Sequence, residues 1–273
     1  MATKLDEIVA FVRKHVEESK HRRPLRELEN DVTKLKDAPR GFRKQLLEVG
    51  KTRPAIISEL KKASPSKGVM RGSYPVGGLA MQFEQAGAAA LSVLTEEQFF
   101  HGSLVHLLEA SAATHIPCLR KDFIVDEYQI FEARLNRADA ILLIVTVLTD
   151  RELTVLNARA RELNLDVLCE VHGEVELSRA VSVGAEIIGV NSRDLHTLQV
   201  DPDAHIRLAE KLPKTALRVA ESGFKHGQDI ARLRARSLES PGYNAFLIGE
   251  SLMTADEPGR ALAQLIADAG ATA

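Results

Sequence analysis

Short apolar runs alternate with amphipathic stretches along most of the chain. The runs begin at Ala55 (AIISELK), Ala90 (ALSVLT), Pro117 (PCLRKDF), Ala140 (AILLIV), Asp166 (DVLCEV), Ile187 (IIGVNSR), Leu217 (LRVAES) and Ala245 (AFLIG). Each has the length of a strand, and most are apolar at successive positions, as expected of parallel strands covered on both faces. Between them lie segments of helical length, among them residues 104–115, 126–136, 149–164 and 173–184. In the last of these, Val175, Ala180 and Val181, with Leu177 beside them, predict one buried stripe, and Gly184 a stop. Eight strand–helix alternations predict an α/β fold, a TIM (β/α)8 barrel. A doubly wound open sheet is the alternative, and the count of eight is what separates the two.

Residues 1–50 precede the first run and read as a helical extension, leaving residues 51–273 for the barrel. Leu5, Ile8, Val9, Val12 and Val16 form one apolar stripe, and Thr3 with Asp6 offers a capping-box-like start. Two further helices are expected over residues 25–35 and 41–49. Such a helix either closes the barrel's bottom, folds over its mouth, or simply packs without taking part in chemistry.

Five runs end in a charged side chain or a carboxamide: Glu59 with Lys61, then Lys121, Glu170, Asn191 and Glu221. In a parallel barrel the C-terminal ends of the strands converge on one mouth, so these groups would meet there. The period of two places Ile57, Glu59 and Lys61 on one inward face. Opposite charges there are costly unless they pair or meet a ligand. The same parity turns Lys121 and Glu170 inward and sends Cys118, Arg120 and Cys169 toward the helices. After the first run, KASPSKG from Lys62 combines hydroxyls, a proline and a glycine, a loop suited to lying against an anion.

A chain of 273 residues that is 45% apolar fits one barrel with a small extension. A formal net charge of -2 argues against a nucleic-acid partner. The longest apolar stretch, residues 140–148, is too short to span a bilayer, so no membrane role is expected. Lys4, Asp6, Glu7, Arg13 and Lys14 make the first twenty residues unlike a secretory signal. Cys118 and Cys169 lack metal-type spacing and read as small buried hydrophobes in a reducing compartment, which points to a cytoplasmic protein.

Ser58-Glu59-Leu60-Lys61-Lys62-Ala63-Ser64-Pro65-Ser66-Lys67-Gly68 resembles the signature of the indole-3-glycerol phosphate synthase family. Further blocks resemble that family in its order: Ser92 to Glu96, Phe99 to Ser103, Leu119 to Phe123, Cys169 to His172, Gly189 to Leu195, Ala220 to Gly223 and Ile248 to Met253. The resemblance runs from about Pro54 to the C-terminus. It implies a carboxy-lyase of tryptophan biosynthesis acting on 1-(2-carboxyphenylamino)-1-deoxyribulose 5-phosphate. Ring closure, loss of carbon dioxide and loss of water then give indole-3-glycerol phosphate, with no cofactor and no metal. Its only implied partner is this phosphorylated small molecule.

The resemblance also implies roles. Lys121 would deliver a proton to the alkoxide developing in ring closure. Glu170 would position Lys121 or move protons itself. Glu59 and Lys61 would serve dehydration, Lys61 also holding the substrate carboxylate; the division of acid and base work among Glu59, Lys61 and Glu170 stays open. Asn191 suits orienting the substrate, and Arg193 would support its carboxylate from the rim. Glu221 would line the mouth, an ion pair with Lys61 or Arg193 being the structural alternative. Pro65 and Phe123 would flank the aromatic ring, unless Phe123 is core packing. The phosphate would meet Ser222, Gly223, Gly249 and Glu250 at the last two strand ends, with Ser64 as an added ligand. Glu250 stands where some family members carry Ser, and a side chain at Gly249 would be expected to block backbone approach to the anion.

None of the nine histidines matches a role, although His172 follows the Glu170 strand closely enough to support it. Residues 236–242 read as a connecting loop. Two other functions compete. A phosphoribosylanthranilate isomerase type of barrel would need a Cys and Asp pair as base and acid. A non-catalytic phosphate-binding barrel would keep Gly223 and Gly249 but would not need Glu59, Lys61, Lys121 and Glu170 together.

Overall fold

The computed structural model describes residues 3–235 and 242–270. Among them, eight parallel strands close into a barrel: β1 (Ala55–Leu60), β2 (Ala90–Leu94), β3 (Cys118–Lys121), β4 (Ala140–Ile144), β5 (Asp166–Val171), β6 (Ile187–Asn191), β7 (Leu217–Glu221) and β8 (Ala245–Ile248). Each strand pairs with the next, and β1 closes the ring by setting Ile57 against Leu247 of β8 on one side and Ala90 of β2 on the other. This closure overturns the open doubly wound sheet. Every apolar run became a barrel strand because a strand walled by its neighbours, the interior and the outer helices has no wet face to mark with polar residues. Loop residues after β1 add a small antiparallel hairpin that pairs Ala63–Ser64 with Gly68–Val69.

Three helices precede the barrel: α1 (Lys4–Arg22), α2 (Leu25–Val32) and α3 (Phe42–Gly50). The Thr3 and Asp6 capping box is formed, and Leu5, Ile8, Val12 and Val16 are buried. The extension reaches both ends of the barrel. Arg13 and Lys20 of α1 bind Glu152 at 2.9 Å and Asp126 at 2.6 Å, on the N-terminal turns of the helices that leave β4 and β3, so α1 lies along the mouth rim. By contrast, Phe42 and Leu46 of α3 are fully buried, and the Arg43 backbone N–H donates to Asp166 at the start of β5, so α3 covers the bottom. Arg40 anchors the approach to α3 by donating to Asp139 at 2.9 Å. The second helix stops at Val32, short of the expected residue 35.

The outer helices are α4 (Val76–Gln85), α5 (Leu104–Ala113), α6 (Glu127–Leu135), α7 (Asp150–Glu162), α8 (Glu174–Ser182), α9 (Ala204–Ala209) and α10 (Gly227–Ala235), then short α11 (Glu250–Met253) and α12 (Pro258–Gly270). Several start where the sequence supplies a cap: Ser103 for α5, Asp126 for α6, and a Thr149–Glu152 capping box for α7. The stripe expected on α8 is corrected. Leu177 and Ala180 are buried, whereas Val175 is 76% exposed and Val181 44% exposed. At 3.6 residues per turn, Val175 lies about 160° around the helix from Leu177, and Val181 falls at the edge of the buried face. The loop expected over residues 236–242 falls, up to residue 241, outside the described residues. No helix among the described residues is long and apolar enough to cross a membrane.

Candidate active site

Strand parity delivers the charged groups to one cleft. On β3, Leu119 and Lys121 point inward. Arg120 points out, where it donates to Asp122 at 3.0 Å and to Glu132 at 3.2 Å beneath the helices. The inward Lys121 ammonium lies 2.9 Å from Glu170 on β5 and 2.8 Å from Glu221 on β7. Glu59 and Lys61 at the end of β1 form their own ion pair in the same cleft. Glu221 thus pairs with Lys121, and the expected alternatives, Lys61 and Arg193, are corrected. Lys121 reaches Glu221 from across the barrel, while Lys61 is engaged by Glu59 and Arg193 by Glu250.

These charges shape one another. Burial would drive the proton off Lys121, but the carboxylates of Glu170 and Glu221, with Glu59 beyond them, outweigh burial and raise its pKa above the ordinary lysine value. Burial also opposes charge on Glu170, yet Lys121 and then His172 hold its pKa below the usual carboxylate range. Glu221 goes the other way: burial first, with the Glu170 charge added, lifts its pKa despite Lys121. Two buried carboxyls beside one ammonium therefore share a proton, carried on the Glu221 side. One oxygen of Glu221, Oε1, is buried without a protein partner.

A glycine makes room for that oxygen. A Cβ at Gly189 on β6 would stand 2.0 Å from Glu221 Oε1. No role was assigned to Gly189 from sequence. Its signal was nevertheless present, since a lone glycine inside an apolar strand marks a close approach. Gly249 also proves to be a spacer: a Cβ there would stand 2.2 Å from Glu59 Oε1. Besides any block to an anion, a side chain at this position would displace the Glu59 carboxylate.

The rim is built from β6, β7 and the loops. Asn191 Oδ1 accepts from Ser222 Oγ at 2.8 Å and from the Arg193 backbone N–H at 3.0 Å. Ser222 and Gly223 take positive φ values of 70° and 86°, a sharp turn directly after β7. Arg193 pairs with Glu250 at 3.1 Å, and Lys67 of the β1 loop approaches Glu250 from the other side at 3.4 Å. Ser64 and Pro65 line the cleft opposite, and Phe123 lies in it with Phe100, ring centroids 6.1 Å apart. Phe100 is marked in the sequence only by its place in the Phe99 to Ser103 block. The cleft brings together every residue nominated from sequence: Glu59, Lys61, Ser64, Pro65, Lys121, Phe123, Glu170, Asn191, Arg193, Glu221, Ser222, Gly223, Gly249 and Glu250.

Both cysteines are buried on the outer face of the barrel, and burial pushes each thiol up to about 12. Neither can act as the base that an isomerase of the competing type needs. Among the described residues, no group of three or more His, Cys, Asp and Glu is arranged to hold a metal.

Fold and cleft together define a (β/α)8-barrel enzyme whose tools are acids, bases and fixed charges at the strand ends. The sequence model of the family described as "Indole-3-glycerol phosphate synthase" matches residues 5–265. Relatives carrying that description are 55% identical over 84% of this chain and 86% of theirs (Koribacter versatilis strain Ellin345) and 42% identical over 98% of this chain and 100% of theirs (Polaromonas naphthalenivorans strain CJ2). A solved structure described as KGPDC from Streptococcus mutans shares the fold, with a TM-score of 0.59 at 11% identity over 79% of this chain and 97% of that one. The chain belongs to the indole-3-glycerol phosphate synthase family.

Proposed function

We propose that the mouth cleft converts 1-(2-carboxyphenylamino)-1-deoxyribulose 5-phosphate to indole-3-glycerol phosphate, the synthase reaction of tryptophan biosynthesis, with Lys121 as the acid of ring closure. The observation that carries this reading is the Lys121 ammonium held between Glu170 and Glu221, 2.9 and 2.8 Å away, inside the cleft. Attack of the aromatic carbon on the ketone places negative charge on the ketone oxygen, and a fixed ammonium both stabilises that charge and supplies its proton. Glu170 holds Lys121 in place. Loss of carbon dioxide then restores the aromatic ring.

Dehydration needs a second acid and base, and the Glu59–Lys61 pair supplies them. Lys61, with Arg193 and Asn191, holds the substrate carboxylate, and Pro65, Phe100 and Phe123 flank the aromatic ring. The phosphate lies by the turn at Ser222 and Gly223 and the Gly249 to Ser251 segment, within reach of Ser64. The buried free thiols of Cys118 and Cys169 support a cytoplasmic setting. Purified protein given the substrate should develop indole fluorescence. A folded protein that produces none would overturn the proposal.

A further inference from the structure

We propose that His172 is a positioning residue of this site: as an imidazolium wedged between Glu170 and Glu176, it fixes Glu170 and loosens that carboxylate's hold on the Lys121 proton. The proposal rests on the Lys121 reading above and adds a residue to it. His172 lies two positions beyond Glu170, just past the end of β5. Its Nε2 is 3.6 Å from Glu170 Oε1, and its Nδ1 is 3.2 Å from Glu176 Oε2 on α8. Nε2 is buried and has no hydrogen-bond partner in the protein.

Glu176 is held firmly in this place. The His172 backbone N–H donates to its Oε2 at 2.8 Å, and the Thr146 hydroxyl donates to its Oε1. Both ring nitrogens therefore face carboxylate oxygens, which can only accept. A neutral imidazole would turn one lone pair onto a carboxylate, whereas the imidazolium presents an N–H to each. The charged groups facing the ring are Glu170 of its own strand, Glu176 of α8 and, farther off, Glu221 of β7, with Lys121 of β3 beyond Glu170. Burial favours the neutral ring, but those three carboxylates outweigh it and raise the pKa of His172 above the ordinary histidine value.

The result is a row of alternating charge from Lys121 through Glu170 and His172 to Glu176, with the proton-bearing Glu221 on the far side of Lys121. A lysine held against a buried carboxylate grips its proton tightly, which makes it a poor acid. A cation on the far side of Glu170 weakens that grip without touching substrate. When His172 loses its proton at high pH, Lys121 becomes the poorer acid and ring closure slows.

The test follows the single-turnover rate of ring closure against pH, with enzyme in excess over the carboxyphenylamino-deoxyribulose phosphate. Wild type should slow as pH rises through the His172 titration. His172→Asn should be about tenfold slower near neutral pH, lack that fall, and converge with wild type at high pH, with KM little changed. Glu221 titrates upward of the usual range too, so Glu176→Gln supplies the control. It removes a carboxylate from His172 and none from Lys121, and it should shift the fall to lower pH while leaving the low-pH plateau at the wild-type rate. The proposal is overturned if His172→Asn runs parallel to wild type at every pH, or if Glu176→Gln leaves the fall where it was. A wild type that forms no indole would instead overturn the function on which the proposal stands.

Discussion

Replacing Lys121 by Met tests the site's charge arrangement independently of catalysis. Met keeps an unbranched chain of similar length but removes the ammonium, leaving Glu170 and Glu221, at 2% and 1% side-chain exposure, facing each other. Deleting one partner of a buried ion pair costs about 3–5 kcal/mol, because the remaining charge has neither water nor a counter-ion. Here the carboxyls can escape part of that cost by taking up protons. Without Lys121, both would hold a proton in the folded state at a pH where the unfolded chain has released them.

A carboxyl whose folded pKa lies above its unfolded value contributes stability that is complete below the unfolded pKa and lost as pH rises through the folded one. On folding, Lys121→Met should take up one proton more than wild type does across the neutral range. Its deficit against wild type should therefore shrink by about 1.4 kcal/mol for each pH unit of acidification. Urea unfolding of both proteins should give a difference of about 3–5 kcal/mol at about pH 8, falling to about 1.5 kcal/mol or less near pH 5.5. Turnover should fall at least about a hundredfold, the lower end of what a positioned acid supplies. A stability difference that does not change with pH would refute the reasoning, since it would mean the two carboxyls are not competing for the lysine. A turnover loss under about tenfold would remove Lys121 as the acid.

Gly189→Ala places a methyl group 2.0 Å from Glu221 Oε1, so it should cost about 1–3 kcal/mol in thermal or urea unfolding and slow turnover together; a fully active, fully stable variant would show that Glu221 has another place to go. Gly249→Ala crowds Glu59 at 2.2 Å and should lower kcat as well as raise KM for the phosphorylated substrate, whereas a change in KM alone would return Gly249 to a purely anion-binding role. For Glu59→Gln, single turnover of carboxyl-labelled substrate should release carbon dioxide ahead of indole, because ring closure proceeds while dehydration stalls. If the two signals slow together with no lag, Glu59 acts at or before ring closure.

The barrel was readable because burial on both faces erases the polar half of each strand, so apolar runs of strand length, repeated eight times, leave few architectures. Parity carried the reading further. It separated Lys121 from Arg120 and Glu170 from Cys169, since adjacent strand positions cannot share a face. What parity cannot supply is the neighbour across the barrel. Glu221 and Lys121 are a hundred residues apart in sequence, and the two faces of a strand say nothing about which of several inward charges will be nearest. The same limit explains both glycines. Gly189 stands out locally as a small residue inside its strand and Gly249 as one just past a strand, but the atoms they make room for belong to β7 and β1. Gly249 follows the last strand and Glu59 ends the first, and only the pairing of β8 with β1 brings them together. A residue that looks like part of an anion loop is therefore also a wall against the Glu59 carboxylate, so under the proposed roles its size would constrain the chemistry of Glu59 as directly as it would constrain the phosphate.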